Sequence, residues 1–278
     1  MTEKHCILLS FLLFGLLLAS CGNVSTLTPH HAESPETTVD GNLNDWPTAD
    51  TQIFSSEAFR FYAKRDSENL YIFVDFLSPY YNEVVNKSGF ILYMSQEDQN
   101  RKRKGLGFPS GSFHQLREQP GRYEELTTNL EWLNNPQNHD VLDGLETENF
   151  ERIMIIERYE SGSPQYGFVS RSQVEAIGVE LEASTDRRYY GMEYKIPLNN
   201  AAPFELLPGE TYWLGFAIEP PEFRFRDDTN TTTSPDRYGG GMYGRQRSRS
   251  SDQTEMNQAM RRQFGQYEEW FKVRIPEE

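Results

Sequence analysis

The sequence predicts an all-β protein: a jelly-roll-type antiparallel β-sandwich of about eight or nine strands, with one or two short helices in long insertions. Apolar and polar residues alternate in run after short run, and turn residues such as Asp66-Ser67-Glu68-Asn69 punctuate them. Only the stretch near 122–133 carries helical spacing. Strands in this number, each with one apolar face, bury those faces by stacking as two sheets.

The first strand, 57–64, sets Phe59, Phe61 and Ala63 against Arg60, Tyr62 and Lys64. After the turn, 70–76 places Leu70, Ile72, Val74 and Phe76 on one side, making a hairpin with the first. A third strand spans 89–95, and the polar stretch 96–105 turns the chain. That stretch carries Arg101, Lys102, Arg103 and Lys104, a cationic run that either meets anionic phosphate or glycan or is simply solvated. Segment 150–160 is apolar on both faces around Ile153, Met154, Ile155 and Ile156, as a central strand would be. In 177–183, Ile177, Val179, Leu181 and Ala183 alternate with Gly178, Glu180 and Glu182. Segment 188–196 groups Tyr190, Met192, Tyr194 and Ile196 before Pro197, which has no N–H to donate to a ladder. Strand 211–219 aligns Tyr212, Leu214, Phe216 and Ile218, and 269–275 aligns Phe271, Val273 and Ile275.

Two stretches fall outside this pattern. The insertion 114–149 is polar, with a short helix carrying Leu126, Leu130 and Leu133, and an excursion of that length is more often functional than a short loop is. The segment 224–260 is acidic and Thr-rich, then Gly- and Arg-rich, and its composition predicts a flexible loop. Its glycines lack the spacing of a phosphate-binding loop.

At the N-terminus, Lys4 precedes an apolar run from Ile7 to Leu18 broken only by Ser10 and Gly15. That is the length of a signal-peptide core, short of the roughly 20 residues a spanning helix needs. Leu18-Ala19-Ser20-Cys21 then matches the bacterial lipobox: residues 1–20 are expected to be cleaved, and the Cys21 thiol to take a lipid of the diacylglyceryl and palmitate type. Residues 21–38, rich in Ser, Thr, Pro and Glu, read as a flexible tether, and 39–278 as the folded domain. His30 and His31 in the tether read as solvated residues, though a vicinal pair can bind metal. Gly22 after the cysteine is compatible with passage to an outer membrane, with the domain on its periplasmic or surface face.

With Cys6 removed and Cys21 lipidated, the mature chain has no thiol left for a disulfide, a thiolate metal site or a cysteine nucleophile. A formal net charge of −15 disfavours nucleic acid as a partner.

The segments VDGNLNDWP at 39–47, ENLYIFVDF at 68–76, YYGMEYKIPL at 189–198, PGETYWLGFAIE at 208–219 and the terminal EEWFKVRI occur in an order that resembles the carbohydrate-binding family 9-like domains, within the wider DOMON group. The resemblance spans 39–275. Asp40-Gly41 reads as a tight turn that Asp45 caps, with Trp46 plugging the end of the sandwich. The resemblance implies a jelly roll and, in true family 9 modules, a sugar held between two facing tryptophans beside structural calcium.

Trp132, Trp213 and Trp270 are therefore the candidate ligand-stacking rings, Trp132 being best placed for exposure. Asp40, Asp45, Asp227, Asp228 and Asp236 are the candidate calcium ligands, offering hard oxygens. Haem, as DOMON relatives hold it, would need Met192 or Met242 with His114. There is no HExxH and no GxSxG motif, and no pair of acids stands out as a glycosidase dyad, so no catalytic residue is assigned. The expectation is a non-catalytic lipoprotein whose sandwich binds an envelope protein or, alternatively, a glycan; a glycan-processing enzyme and a haem-binding domain are the remoter readings.

Overall fold

A computed structural model describes residues 26–31, 37–46, 52–96, 102–157, 164–184, 190–200, 203–224, 260 and 264–277. Two mixed sheets pack face to face as a sandwich. The first has seven strands: β1 (Thr26–Leu27), β13 (Tyr267–Arg274), β12 (Thr211–Ile218), β6 (Ile91–Ser95), β7 (Lys104–Gly107), β8 (Arg152–Glu157) and β9 (Gln165–Ser170), in that spatial order. The second runs β10 (Glu180–Ser184), β11 (Gly191–Pro197), β5 (Asn69–Phe76), β4 (Phe59–Arg65) and β2 (His30–His31), with β3 (Gln52–Ser55) sharing the β4 edge. Among the described residues only β1 and β2 pair in parallel, with β13 and β4.

The core between the sheets is built from the alternation that defined the strands. Phe59, Phe61, Ile72, Val74, Met192, Tyr194, Ile196, Leu214, Phe216, Phe271 and Val273 all face inward and are buried. Phe61 stacks on Phe216 across the sandwich, ring centroids 4.4 Å apart. Burying faces of this size against each other is the main favourable term in the fold.

Five strands escape the alternation reading: β1 and β2, within the expected tether, and β3, β7 and β9. The expected turn 96–105 ends in β7, so Lys104 starts a strand. Outer positions of β7 are Gly105 and Gly107, which carry no side chain to alternate. Ile177 is exposed rather than inward, because the chain turns there after α6 (Arg171–Glu175). The expected tether also differs from its reading. Leu27 pairs with Val273 and is only 5% exposed, its side chain completing the core edge, while His30 and His31 pair with Lys64 and Arg65.

The described residues contain more helix than expected. α1 (Tyr80–Ser88) bridges β5 and β6, and the insertion holds α2 (Ser112–Gln115), a 3-10 turn (Leu116–Glu118), α3 (Pro120–Thr128), α4 (Leu130–Asn134) and α5 (Pro136–Glu146). Local chemistry sets their starts. Pro120 and Pro136 occupy first-turn positions, and the Asn129 and Asn135 side chains accept from Glu131 N and Gln137 N. At the insertion's neck, Gln115 Nε2 donates to Asn149 Oδ1 at 2.9 Å and Asn149 Nδ2 donates to the Asn86 carbonyl at 2.7 Å, fixing both ends to α1. Above this neck Phe113, Leu116, Leu126, Trp132, Leu142 and Phe264 form a second core. Among the described residues no helix is long and apolar enough to cross a membrane.

Candidate functional site

The outer face of the seven-stranded sheet carries an aromatic band. Cross-strand register aligns Trp270, Gly215, Tyr93, Gly105, Ile156 and Tyr166 in one row. Glycine is needed in this row because large rings lie flat over it. A Cβ at Gly215 would approach the Trp270 ring to 2.4 Å, and one at Gly105 would approach the Tyr93 ring to 2.7 Å. Trp270 stacks on Tyr93 at 6.0 Å and donates its indole N–H to Glu268 Oε1 at 2.7 Å. Lys102 lies beside Tyr93 and bridges Glu219 and Glu268 at 2.6 Å each, and Tyr93 O–H donates to Glu219 Oε2.

Where the insertion meets this face there is a cleft of about 970 Å³. α3 contributes Tyr123, Glu124, Thr127 and Thr128, and β9 contributes Tyr166. Arg117 and the segment after β12, with Glu219, Glu222 and Arg224, complete it. The Arg117 guanidinium lies 4.1 Å from the Tyr166 centroid and 4.6 Å from that of Tyr123. Beneath it, fully buried His114 stacks on Tyr166 and its Nδ1 accepts from Arg117 Nε at 3.3 Å. Desolvation, and then the Arg117 charge, push the His114 pKa down to about 3, so the ring is neutral. With Nδ1 accepting, the proton sits on Nε2, which is buried and has no hydrogen-bond partner among the described residues; the Glu219 and Ser88 backbone only weakly offsets the lowered pKa.

The tryptophans fall differently from expectation. Trp132, the ring expected to be exposed, is 4% exposed because it anchors the insertion's own core. Trp213 is 6% exposed on the outer face, with the Lys272 ammonium 4.8 Å from its ring. Trp270 alone of the three is partly exposed, one row from Trp213 on the same face. Trp46 is buried, but against Tyr62, Tyr71 and Phe73 on the outer face of the second sheet rather than as an end plug. Its indole N–H explains this: it donates to Glu193 Oε1 at 3.0 Å, while Glu193 Oε2 accepts from the Asp40 and Gly41 amides. Burial drives the Glu193 pKa up to about 7.

Asp40 and Asp45, two of the candidate calcium ligands, accept hydrogen bonds from nearby backbone amides. Asp40 Oδ1 accepts from Asn42 N and Asp45 Oδ2 from Thr38 N. The Lys64 ammonium donates to the Asp45 carbonyl at 2.6 Å, and Asp45 Oδ1 is buried with no hydrogen-bond partner among the described residues. Among the described residues no three His, Cys, Asp or Glu side chains gather to hold a metal. Asp227, Asp228, Asp236, Met242 and Cys21 lie outside the described residues. Met192 is not brought near His114: it faces the core between the sheets and its sulfur accepts from Tyr194 O–H, whereas His114 lies against the outer face. In the cationic run, Lys102 and Lys104 are paired with carboxylates.

Arg117, Tyr123, Tyr166 and Glu219, the residues that build the cleft, were not singled out by sequence. Only the length and polarity of the insertion pointed to this part of the chain. No family model and no curated protein matches the sequence. Among solved structures the chain is similar to a family 9 carbohydrate-binding module from Caldicellulosiruptor kristjanssonii in complex with cellotriose, with 9% identity, a TM-score of 0.32, and 70% of this chain and 77% of that one covered.

Proposed function

We propose that this protein is a non-catalytic binding module that takes an oligosaccharide in the cleft between α3 and the seven-stranded sheet, and that a lipid on Cys21 holds it at a membrane. The observation that carries the binding reading is the lining of the cleft: two tyrosines beside hydrogen-bonding and charged side chains, in a volume at the upper end of the roughly 300–1,000 Å³ usual for ligand pockets. Aromatic rings match the apolar faces of a pyranose, and polar groups match its hydroxyls.

Catalysis finds less support. A glycosidase needs one carboxyl raised to serve as acid. The raised acids Glu193, Glu146 and Glu269 do not line the cleft, while Glu219 and Glu222 are paired with Lys102 and Arg224. A protein partner that orders the insertion on contact also finds less support, because the insertion already has a core and a hydrogen-bonded neck.

Calorimetric titration of a panel of oligosaccharides tests the reading. Binding is expected, with affinity reduced at least tenfold by Tyr123→Ala and the fold unchanged by circular dichroism. A panel giving no heat, with an envelope protein captured through the insertion instead, would reverse the reading.

A further inference from the structure

We infer that the cleft selects a carboxylate-bearing saccharide, a uronic-acid oligosaccharide, with the Arg117 guanidinium receiving the sugar carboxylate. This rests on the proposed oligosaccharide site and names its ligand class.

Arg117 is the cleft's one cation without a carboxylate among the described residues. Its hydrogen bond runs from Nε to His114 Nδ1, and among the described residues nothing takes the terminal Nη1 and Nη2 edge. The carboxylates around it are engaged elsewhere. Glu118 pairs with Arg152, Glu219 with Lys102, and Glu222 with Arg224, each at 2.6 Å. Glu124, on the exposed face of α3, is engaged as well.

The guanidinium is also held in place. Tyr123 and Tyr166 flank it, and a buried neutral imidazole fixes its Nε side, so little side-chain freedom is left to lose on binding. Arginine in this state offers a planar fork that matches a carboxylate with two parallel N–H···O bonds. Tyrosines beside the fork favour a ring-bearing ligand over an extended acidic peptide, since a sugar brings both a carboxylate and an apolar face. His114 acts here as a positioning residue.

The test titrates the full protein with trigalacturonate, its methyl ester, a neutral trisaccharide and an Asp/Glu-rich hexapeptide. The acid is expected to bind about 10- to 100-fold more tightly than its ester, the range of a hydrogen bond to a charged group. Arg117→Gln should abolish that preference, so that acid and ester bind with equal affinity, and Arg117→Lys should restore only part of it, because the charge returns without the fork. Arg117 is half-buried on the surface, so circular dichroism should show both variants folded. Equal affinity for acid and ester would overturn the carboxylate inference and leave the oligosaccharide reading standing. Persistence of the preference in Arg117→Gln would also overturn it. No binding by any saccharide would overturn the oligosaccharide reading itself, and Arg117-dependent binding of the peptide alone would overturn the choice of ligand class.

Discussion

Glu193 joins the two most specific segments of the sequence, taking the amides of Asp40 and Gly41 and the indole of Trp46 onto a strand residue some 150 positions later. Its carboxyl titrates at about 7 in the folded chain against 4.5 ordinarily, because burial outweighs those three donors. The folded state therefore binds the proton more tightly than the unfolded one. This contribution is fully present below about pH 4.5, is lost as pH rises, and is gone above about 7, a change on the order of 3 kcal/mol. His114 works in the opposite direction: lowered from 6.5 to about 3, it adds stability as pH climbs between those values. Between 4.5 and 6.5 the two slopes oppose each other, so denaturant midpoints measured from pH 3 to 8 should rise to about 4.5 and then level off; in Glu193→Gln the rise should continue to about 6.5, and in His114→Asn only the fall over 4.5–7 should remain. Unchanged profiles would mean that neither group is buried as described. In the main core, Phe216 is fully buried and contacts Phe61, Phe90 and Phe271, so Phe216→Ala should cost about 3–5 kcal/mol by chemical denaturation.

At the scale of elements, strands with an alternating or a continuously apolar pattern were legible, and those with neither were not. In β7 the outer positions are Gly105 and Gly107, beside Tyr93 and Met154, so the feature that makes the strand fit also erases its signal. The insertion was legible as an exception, but its structure was not. A polar segment of modest helical moment folds because Trp132, Leu126 and Leu142 find Phe113 and Phe264, the last arriving from beyond residue 260. No local window contains that contact. Trp132 accordingly belongs to packing, and Trp132→Ala should destabilise the insertion by about 3–5 kcal/mol. Hydrogen exchange should then accelerate in α3 and α5 while the amides of β5 and β12 keep their protection. Equal acceleration in both would mean that the two cores unfold as one unit.

For the whole molecule, the proposed attachment and the proposed ligand site belong to different parts of the chain. We propose the anchor at Cys21, and Cys21→Ser should leave the precursor unprocessed; a palmitate analogue should label the parent protein and not the variant, and label on the variant would refute the anchor. The sequence alone determined the two-sheet sandwich and the inward faces of its main strands, because period-two patterning is local and solvent acts on each strand alike. It also determined an acidic body and an unusually long insertion. Only the tertiary structure decided which aromatics are scaffold and which line a cleft. Trp132 and Trp213 are buried by residues far away in sequence, and Arg117 gains its place from Tyr166 and His114, which meet only when β9 closes the sheet beside the insertion. A side chain's type is written in the chain, but its exposure depends on what the fold sets against it.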